Sequence, residues 1–187
     1  APRMLQAALQ HAISQKGVSV LGVPGDLFEA KCEKNISSDL VFKTNPRIIP
    51  SEEEINWIAN QLNSGKKVAI YCGIGASEAH TEVVALAEKL KAPIVYSFRG
   101  KMGIQYNNPY EVGMTGLLGL PSAFKAMHEA DIVLLLGTDF PYVKFMPTDK
   151  VIIQIDDKPE RLGRRAQLTR GFAGKITKIG QNWQLVF

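Results

Sequence analysis

From residue 51 to residue 156 the chain alternates two apolar rhythms, one of period 3.6 and one nearly continuous. SEEEINWIANQLNSG places Ile55, Ile58, Ala59 and Leu62 on one helical face. Ser51 and Glu54 have the spacing of a capping box, and Gly65 supplies a stop. KVAIYC then reads as a buried strand, and SEAHTEVVALAEKLKA as a helix with Val83, Val84, Leu86, Ala87 and Leu90 inward. PIVYSF is a strand. PSAFKAMHEA is a helix with Pro121 in its first turn, where a missing N–H costs nothing. DIVLLLG and VIIQID are strands, apolar almost throughout. Strands without polar alternation, separated by amphipathic helices, are buried on both faces. The expected class is therefore α/β, a doubly wound parallel sheet of about six strands with helices on both faces.

The first fifty residues follow a weaker pattern. Residues 4–16 repeat Met4, Leu5, Ala8, Ala12 and Ile13 at helical spacing, with Gly17 as a stop. VSVLGVP reads as a short buried strand ended by Pro24 and Gly25. One helix and one strand cannot close a core. Residues 1–28 are thus expected to be the last unit of something larger, and the lack of an initiator methionine points to a piece of a longer chain. Residues 29–50 show no sustained period, carry Pro46 and Pro50, and read as a linker to a domain over 51–187.

Composition narrows the class. The net charge is +4, scattered rather than blocked, so a basic stripe for nucleic acid is not expected. KPERLGRRAQLTR is read as a solvated helix face. Cys32 and Cys72 form neither a disulfide framework nor a zinc site, and a reducing, cytoplasmic compartment is expected. No stretch has the length of a membrane span. His11, His80 and His128 have no patterned Ser or Cys partner, and no catalytic residue or metal ligand is assigned.

Ligands of such sheets bind beyond the carboxyl ends of the strands. In YCGIGASEAH, Gly73 and Gly75 precede a helix expected to open at Ser77, whose N–H groups suit an anion. The NAD fingerprint nevertheless fails: Glu78 stands at its third glycine, and the next strand ends in Ser97, Phe98 and Arg99. A tight strand-to-helix turn explains these glycines equally well. Arg99 and Lys101 could meet phosphate or lie in a solvated loop. Gly113, Gly116 and Gly119 recur every third residue, with Thr115 able to donate a hydrogen bond, as suits backbone lying on a ligand or on a neighbouring strand. After Gly137 come Thr138 and Asp139, then Phe140, Pro141, Tyr142 and Phe145, an aromatic loop that could be core or could wall a ring system. Asp156 ends its strand where a carboxylate can accept ribose hydroxyls, or where a turn acid would stand before Pro159.

Taken in order, CGIGA, APIVYSFRGK, NPYEVGMTGLLG, ADIVLLLGTDFPY and IIQIDDKP resemble the central domain of pyruvate oxidases and pyruvate:quinone oxidoreductases, within the thiamine-diphosphate-dependent enzymes. The resemblance implies a Rossmann-like (DHS-like) domain that holds FAD along its strand ends. It implies that Thr115, Gly116, Leu117 and Leu118 line the flavin cofactor, that Thr138, Asp139, Phe140, Pro141 and Tyr142 contact it, and that Asp156 holds the adenosine ribose. Gly73, Gly75 and Arg99 are further candidates. It also implies a tetrameric parent enzyme that decarboxylates pyruvate on thiamine diphosphate and Mg2+ and passes electrons to FAD, then to oxygen or quinone. The groups that hold thiamine diphosphate would lie in flanking domains, and this chain alone would be inactive. The pattern departs from the family at Gly174-Lys175, where a Gly-Asp pair usually opens a helix, and the end of GFAGKITKIGQNWQLVF does not look like the usual helix. Alternatives are an acetohydroxyacid synthase-like domain with a structural flavin or none, an NADP site favoured by Arg99, or an interaction module suggested by Trp183 and the apolar tail.

Overall fold

The computed structural model describes residues 2–31, 41–42 and 48–180. Cys32, Pro46 and Trp183 lie outside the described residues, as does the end of the tail. The chain forms two compact units, Ala1–Pro46 and Arg47–Phe187.

In the first unit, α1 (Pro2–Gln15) has no buried residue. Its end is closed by the Gly17 N–H donating to the Ala12 carbonyl at 3.0 Å, with Lys16 rather than the glycine taking the left-handed φ of 49°. Residues 18–23 form no strand, and Val18 and Val20 are 90% and 91% exposed. The buried strand expected there is not formed, because a strand needs a neighbour and no described residue supplies one.

The second unit is built on a six-stranded sheet. α2 (Glu52–Leu62) opens with the expected capping box: the Glu54 N–H donates to Ser51 Oγ at 3.2 Å, and the Ser51 N–H donates to Glu54 Oε2 at 2.8 Å. Ile55, Ile58, Ala59 and Leu62 are all buried. The strands are β1 (Val68–Cys72), β2 (Ile94–Tyr96), β3 (Glu111–Met114), β4 (Ile132–Leu136), β5 (Val151–Asp156) and β6 (Arg170–Ala173). They lie in the order β3-β2-β1-β4-β5-β6 and every pairing is parallel. α3 (His80–Leu90), α4 (Lys101–Ile104) and α5 (Pro121–Glu129) complete the set.

Alternate residues of each central strand feed two separate cores. Ile70, Cys72, Leu134 and Leu136 pack with Ile58, Val83, Leu86 and Ala87 of α2 and α3. Ala69, Tyr71, Val133 and Leu135 pack with Ala123 and Met127 of α5, and with Phe140 and Met146. Each fully buried large side chain contributes about 1.5–3 kcal/mol, which is why these strands read as unbroken apolar runs.

Three stretches differ from the sequence reading. KPERLGRRAQLTR is not a solvated helix: Pro159–Arg161 is one 3-10 turn, irregular chain follows until Arg170 opens β6, and three of its arginines pair with acids. Gly163, at φ 72°, breaks any helical period there. The helix expected to open at Ser77 begins as an α-helix only at His80, after a 3-10 segment over Ile74–Ala79. After Gly174-Lys175 the chain does turn helical over residues 176–180, with Ile176 and Ile179 buried in the α2/α3 core.

The chain runs outward through β1, β2 and β3, then returns to the other side of β1 for β4, β5 and β6. The topological switch point is therefore the β1–β4 boundary. There the two loops touch backbone to backbone. A Cβ on Gly73 would stand 2.2 Å from the Gly137 carbonyl oxygen and 2.6 Å from Thr138 Cα. Gly73→Ala should accordingly destabilise the domain by roughly 3 kcal/mol or more. Gly25→Ala, with open space around it, should stay within about 0.5 kcal/mol of the parent. Urea denaturation of the two variants measures the contrast.

Candidate functional site

The carboxyl ends of β1 to β5 converge on one edge. Its centre is closed. The Gly73 N–H donates to the Leu136 carbonyl at 2.9 Å, the Gly75 N–H to Gly137 at 3.0 Å, and the Gly137 N–H to Ile155 at 2.8 Å. Gly137 adopts φ 56°, and a Cβ on it would meet Gly75 Cα at 2.6 Å. Gly73 and Gly75 thus serve loop packing, and their amides are already used within the chain. Beside them Gly100 seats against the Cys72 carbonyl oxygen, where a Cβ would stand 2.6 Å away. Arg99 and Lys101 stay exposed at the end of β2.

Beyond β3 the chain makes a tight turn. The Gly119 N–H donates to Gly116 at 2.9 Å, and the Leu120 N–H to Met114 at 2.7 Å. Gly116, at φ 110°, lies against the Phe140 ring. Thr115 is buried and its Oγ1 has no hydrogen-bond partner. Leu117 and Leu118 project outward, 62% and 71% exposed. The turn thus presents one unsatisfied hydroxyl beneath two apolar side chains.

Beyond β4, Thr138 is buried and its carbonyl accepts from Gln154 Nε2 at 3.1 Å. Asp139 accepts from Arg164 Nη1 at 3.2 Å and from Arg165 Nε at 3.0 Å. Phe140 packs edge-on against Tyr71 at 5.5 Å and against Tyr142 at 5.3 Å, and Tyr142 stands 6.3 Å from Phe145. Pro141 and Tyr142 are exposed. Burial pushes the Tyr71 phenol well above its ordinary range.

At the end of β5, Asp156 is completely buried. Its Oδ1 accepts from the Lys158 N–H at 3.0 Å and lies 3.8 Å from Arg161 Nη1, while Oδ2 has no partner. Burial raises the carboxyl to about 6, opposed by the Lys158 N–H and Arg161 and reinforced by the neighbouring Asp157. A buried carboxylate oxygen facing no donor is costly unless a ligand supplies one.

The structure thus brings Thr138 to Tyr142 together with the Thr115–Leu118 turn, and sets Asp156 one strand beyond them. Arg99 stands three strand positions from Asp156, about 14 Å by the usual strand spacing. Sequence reasoning missed Gln154, which also accepts from the Gly163 N–H at 3.1 Å and so ties the β5–β6 connection to the aromatic loop. Its signal was present: one amide in an otherwise apolar strand. The roles of Arg161, Arg164 and Arg165 were missed with the false helix. Among the described residues, no group of three or more His, Cys, Asp or Glu could hold a metal ion. No described helix is long and apolar enough to cross a membrane.

Comparison with known proteins places this geometry. The protein-family profile for the thiamine pyrophosphate enzyme central domain matches residues 55–182. The chain is 43% identical over 178 residues to an uncharacterized 42.6 kDa protein from Pseudomonas amyloderamosa, covering 94% of this chain and 45% of that one. It is 27% identical over 169 residues to the pyruvate oxidase of Lactiplantibacillus plantarum, covering 88% of this chain and 28% of the oxidase. The chain therefore spans less than half the length of both relatives. The crystal structure of benzoylformate decarboxylase from Polynucleobacter necessarius superposes with a TM-score of 0.68 at 18% identity, over 98% of this chain and 36% of that one, a likeness of fold.

The Asp156 carboxyl fixes a pH dependence. Its folded value of about 6 lies above the ordinary 3.8, so the folded chain binds the extra proton first as pH falls. The cost of burying the charge is complete above pH 6 and is relieved between pH 6 and 4. This group should make the ligand-free protein more stable at pH 5 than at pH 7, by at most about 3 kcal/mol over the full range. Asp156→Asn should raise stability at pH 7 and flatten that slope, as read by thermal melts across pH.

Proposed function

The chain belongs to the family of thiamine pyrophosphate enzyme central domains, and from that premise we propose that it is the FAD-binding domain of a pyruvate oxidase-like enzyme. The observation that carries the reading is the fully buried Asp156, whose Oδ2 faces no donor at the end of β5. Ribose hydroxyls would supply the missing donors. Thr115 Oγ1, another buried atom without a partner, as are Tyr71 Oη and Ser77 Oγ near β1, suits a polar group further along the same ligand. The similarity to a pyruvate oxidase across most of this chain accords with the motif resemblance from which the flavin is inferred.

When bound, FAD would supply two-electron redox chemistry. The chain's own residues do the holding. Asp156 anchors the ribose. The Gly116 turn with Leu117 and Leu118, and Phe140, Pro141 and Tyr142 of the loop beyond β4, form apolar walls for a ring system, while Thr138 and Asp139 hold that loop through Gln154 and two arginines. Thiamine diphosphate and Mg2+ would be held by flanking domains of the longer protein, where pyruvate is decarboxylated, in a tetramer. Its electrons would leave to oxygen or quinone.

The purified chain should bind FAD, quench its fluorescence and melt at a higher temperature in its presence. Asp156→Ala should weaken FAD at least tenfold, the loss of one charge-assisted hydrogen bond. Wild-type affinity should also fall as pH drops below 6, because the protonated carboxyl accepts fewer hydroxyls. A chain that neither FAD nor ADP stabilises would rule the reading out; one that ADP stabilises and FAD does not would replace flavin with a plain adenine nucleotide.

Residues 1–28 are read as the last piece of a preceding thiamine-binding domain, since α1 buries nothing and Val18 and Val20 are almost wholly exposed. In the full-length protein, amides 18–23 should become protected from hydrogen exchange. Exchange as fast there as in the isolated chain would contradict the assignment.

A further inference from the structure

Resting on the reading of this edge as an adenine-dinucleotide shelf, we propose that Arg164 and Arg165, with Arg161 beside them, form the receptor for the ligand's diphosphate. In dinucleotide folds that charge lies on glycine-loop amides at a helix N-terminus. Here the amides of Gly73, Gly75, Ala76 and Gly137, at the centre of the edge, are occupied. Gly73 donates to Leu136, Gly75 to Gly137, Ala76 to Gly73 and Gly137 to Ile155, all at 2.8–3.2 Å. The α-helix itself begins only at His80. A diphosphate lying over the β1–β4 centre would therefore draw on side chains for its neutralisation.

Besides Lys144, which lies over the Phe145 ring beyond β4, and Lys158, beside Asp156, the arginines and lysines of the edge fall into two groups. Arg99 and Lys101 follow β2, three strand positions from Asp156. Arg161, Arg164 and Arg165 follow β5 directly. Arg161 Nη1 stands 3.8 Å from Asp156 Oδ1, so a ribose on that carboxylate brings its phosphates to this second group. Arg164 and Arg165 are drawn toward β4, the neighbour of β5 in the sheet, each by one hydrogen bond to Asp139. A guanidinium carries five N–H donors in a planar fork. With one donor spent on Asp139, each fork keeps donors for a second anion. The two side chains are 52% and 33% exposed, within reach of a ligand, while Asp139 is 25% exposed beneath them.

Asp139 is then a positioning residue, and the contact with the ligand belongs to the arginines it holds. Gln154 fixes the same segment from below, through the Gly163 N–H and the Thr138 carbonyl. The arrangement is ordered before any anion arrives, which lowers the entropy lost on binding.

The test uses the whole chain and four probes, adenosine, AMP, ADP and FAD, titrated calorimetrically at low and high salt. The wild type should bind ADP at least tenfold more tightly than adenosine, with the gap narrowing as salt rises. The variant Asp139→Asn/Arg164→Gln/Arg165→Gln keeps polar pairing in the loop without its charges. It should bind adenosine as the wild type does and lose the preference for ADP. Arg164→Lys/Arg165→Lys should keep part of it. If the neutral variant fails to fold, Arg164→Gln alone, at an exposed position, should still narrow the gap. An undiminished ADP preference in these variants, or a preference lost only in Arg99→Gln, overturns the proposal. Equal wild-type affinity for adenosine and ADP also overturns it, while leaving the ribose site standing. A wild type that binds none of the four brings down the reading of the edge itself.

Discussion

Two glycine turns pressed backbone to backbone across the β1–β4 boundary set the shape of the edge at the carboxyl ends of the strands. Gly73 and Gly75 on one side and Gly137 on the other approach so closely that a single methyl group would collide with main-chain atoms. Their amides are consumed in the contact. At a switch point of this topology an open crevice is usual. Here the crevice is sealed, and what remains is a shelf above it, edged by the Gly116 turn, the aromatic loop and the end of β5. The proposed ligand would lie across that shelf rather than sink into it. On the proposed reading, a diphosphate there would be met by side chains, since the amides of Gly73, Gly75, Ala76 and Gly137 are already used.

The second constraint is the cost of Asp156. A carboxyl raised to about 6 by burial, with one oxygen facing no donor, is a liability in the empty protein. It persists because the fold over-determines its place: parallel pairing on both sides of β5, the Lys158 N–H on one oxygen, and Gln154 two residues earlier stitching the following turn to the neighbouring loop. A buried carboxylate oxygen without a donor is costly, and the proposed ribose contact rests on that cost. Gln154 and the pairing of Asp139 with two arginines make the β5–β6 connection and the aromatic loop one mechanical unit, so both walls of the shelf are fixed together.

Much of this was legible in the chain. The capping box at Ser51 and Glu54, the stripe Ile55, Ile58, Ala59 and Leu62, and the apolar strands around Ile70, Leu134 and Ile153 follow from period and burial alone, because both sheet faces are covered. Asp156 was legible too, as the first acid after an apolar run. β3 was not, for it has four residues, lies at the sheet edge, and carries Gly113 at φ 102°, so it lacks the run that marks a buried strand. The arginine segment read as a helix because its charges are spaced like a solvated face, and nothing local reveals the acids that hold them. Residues 18–23 read as a strand because valine favours one, yet a strand exists only beside another.

The sequence by itself determined the alternation of helix and buried strand, hence the parallel sheet, and the residue types at each strand end. Tertiary structure alone decided what the glycines are for. Whether a glycine lies under a ligand or under another loop depends on what the chain brings opposite it from sixty residues away, and a linear pattern contains no such distance. The same holds for Asp139. Its carboxylate became a holder of arginines because β5 folds beside β4, a neighbour relation set by the order of strands and not by the spacing of residues.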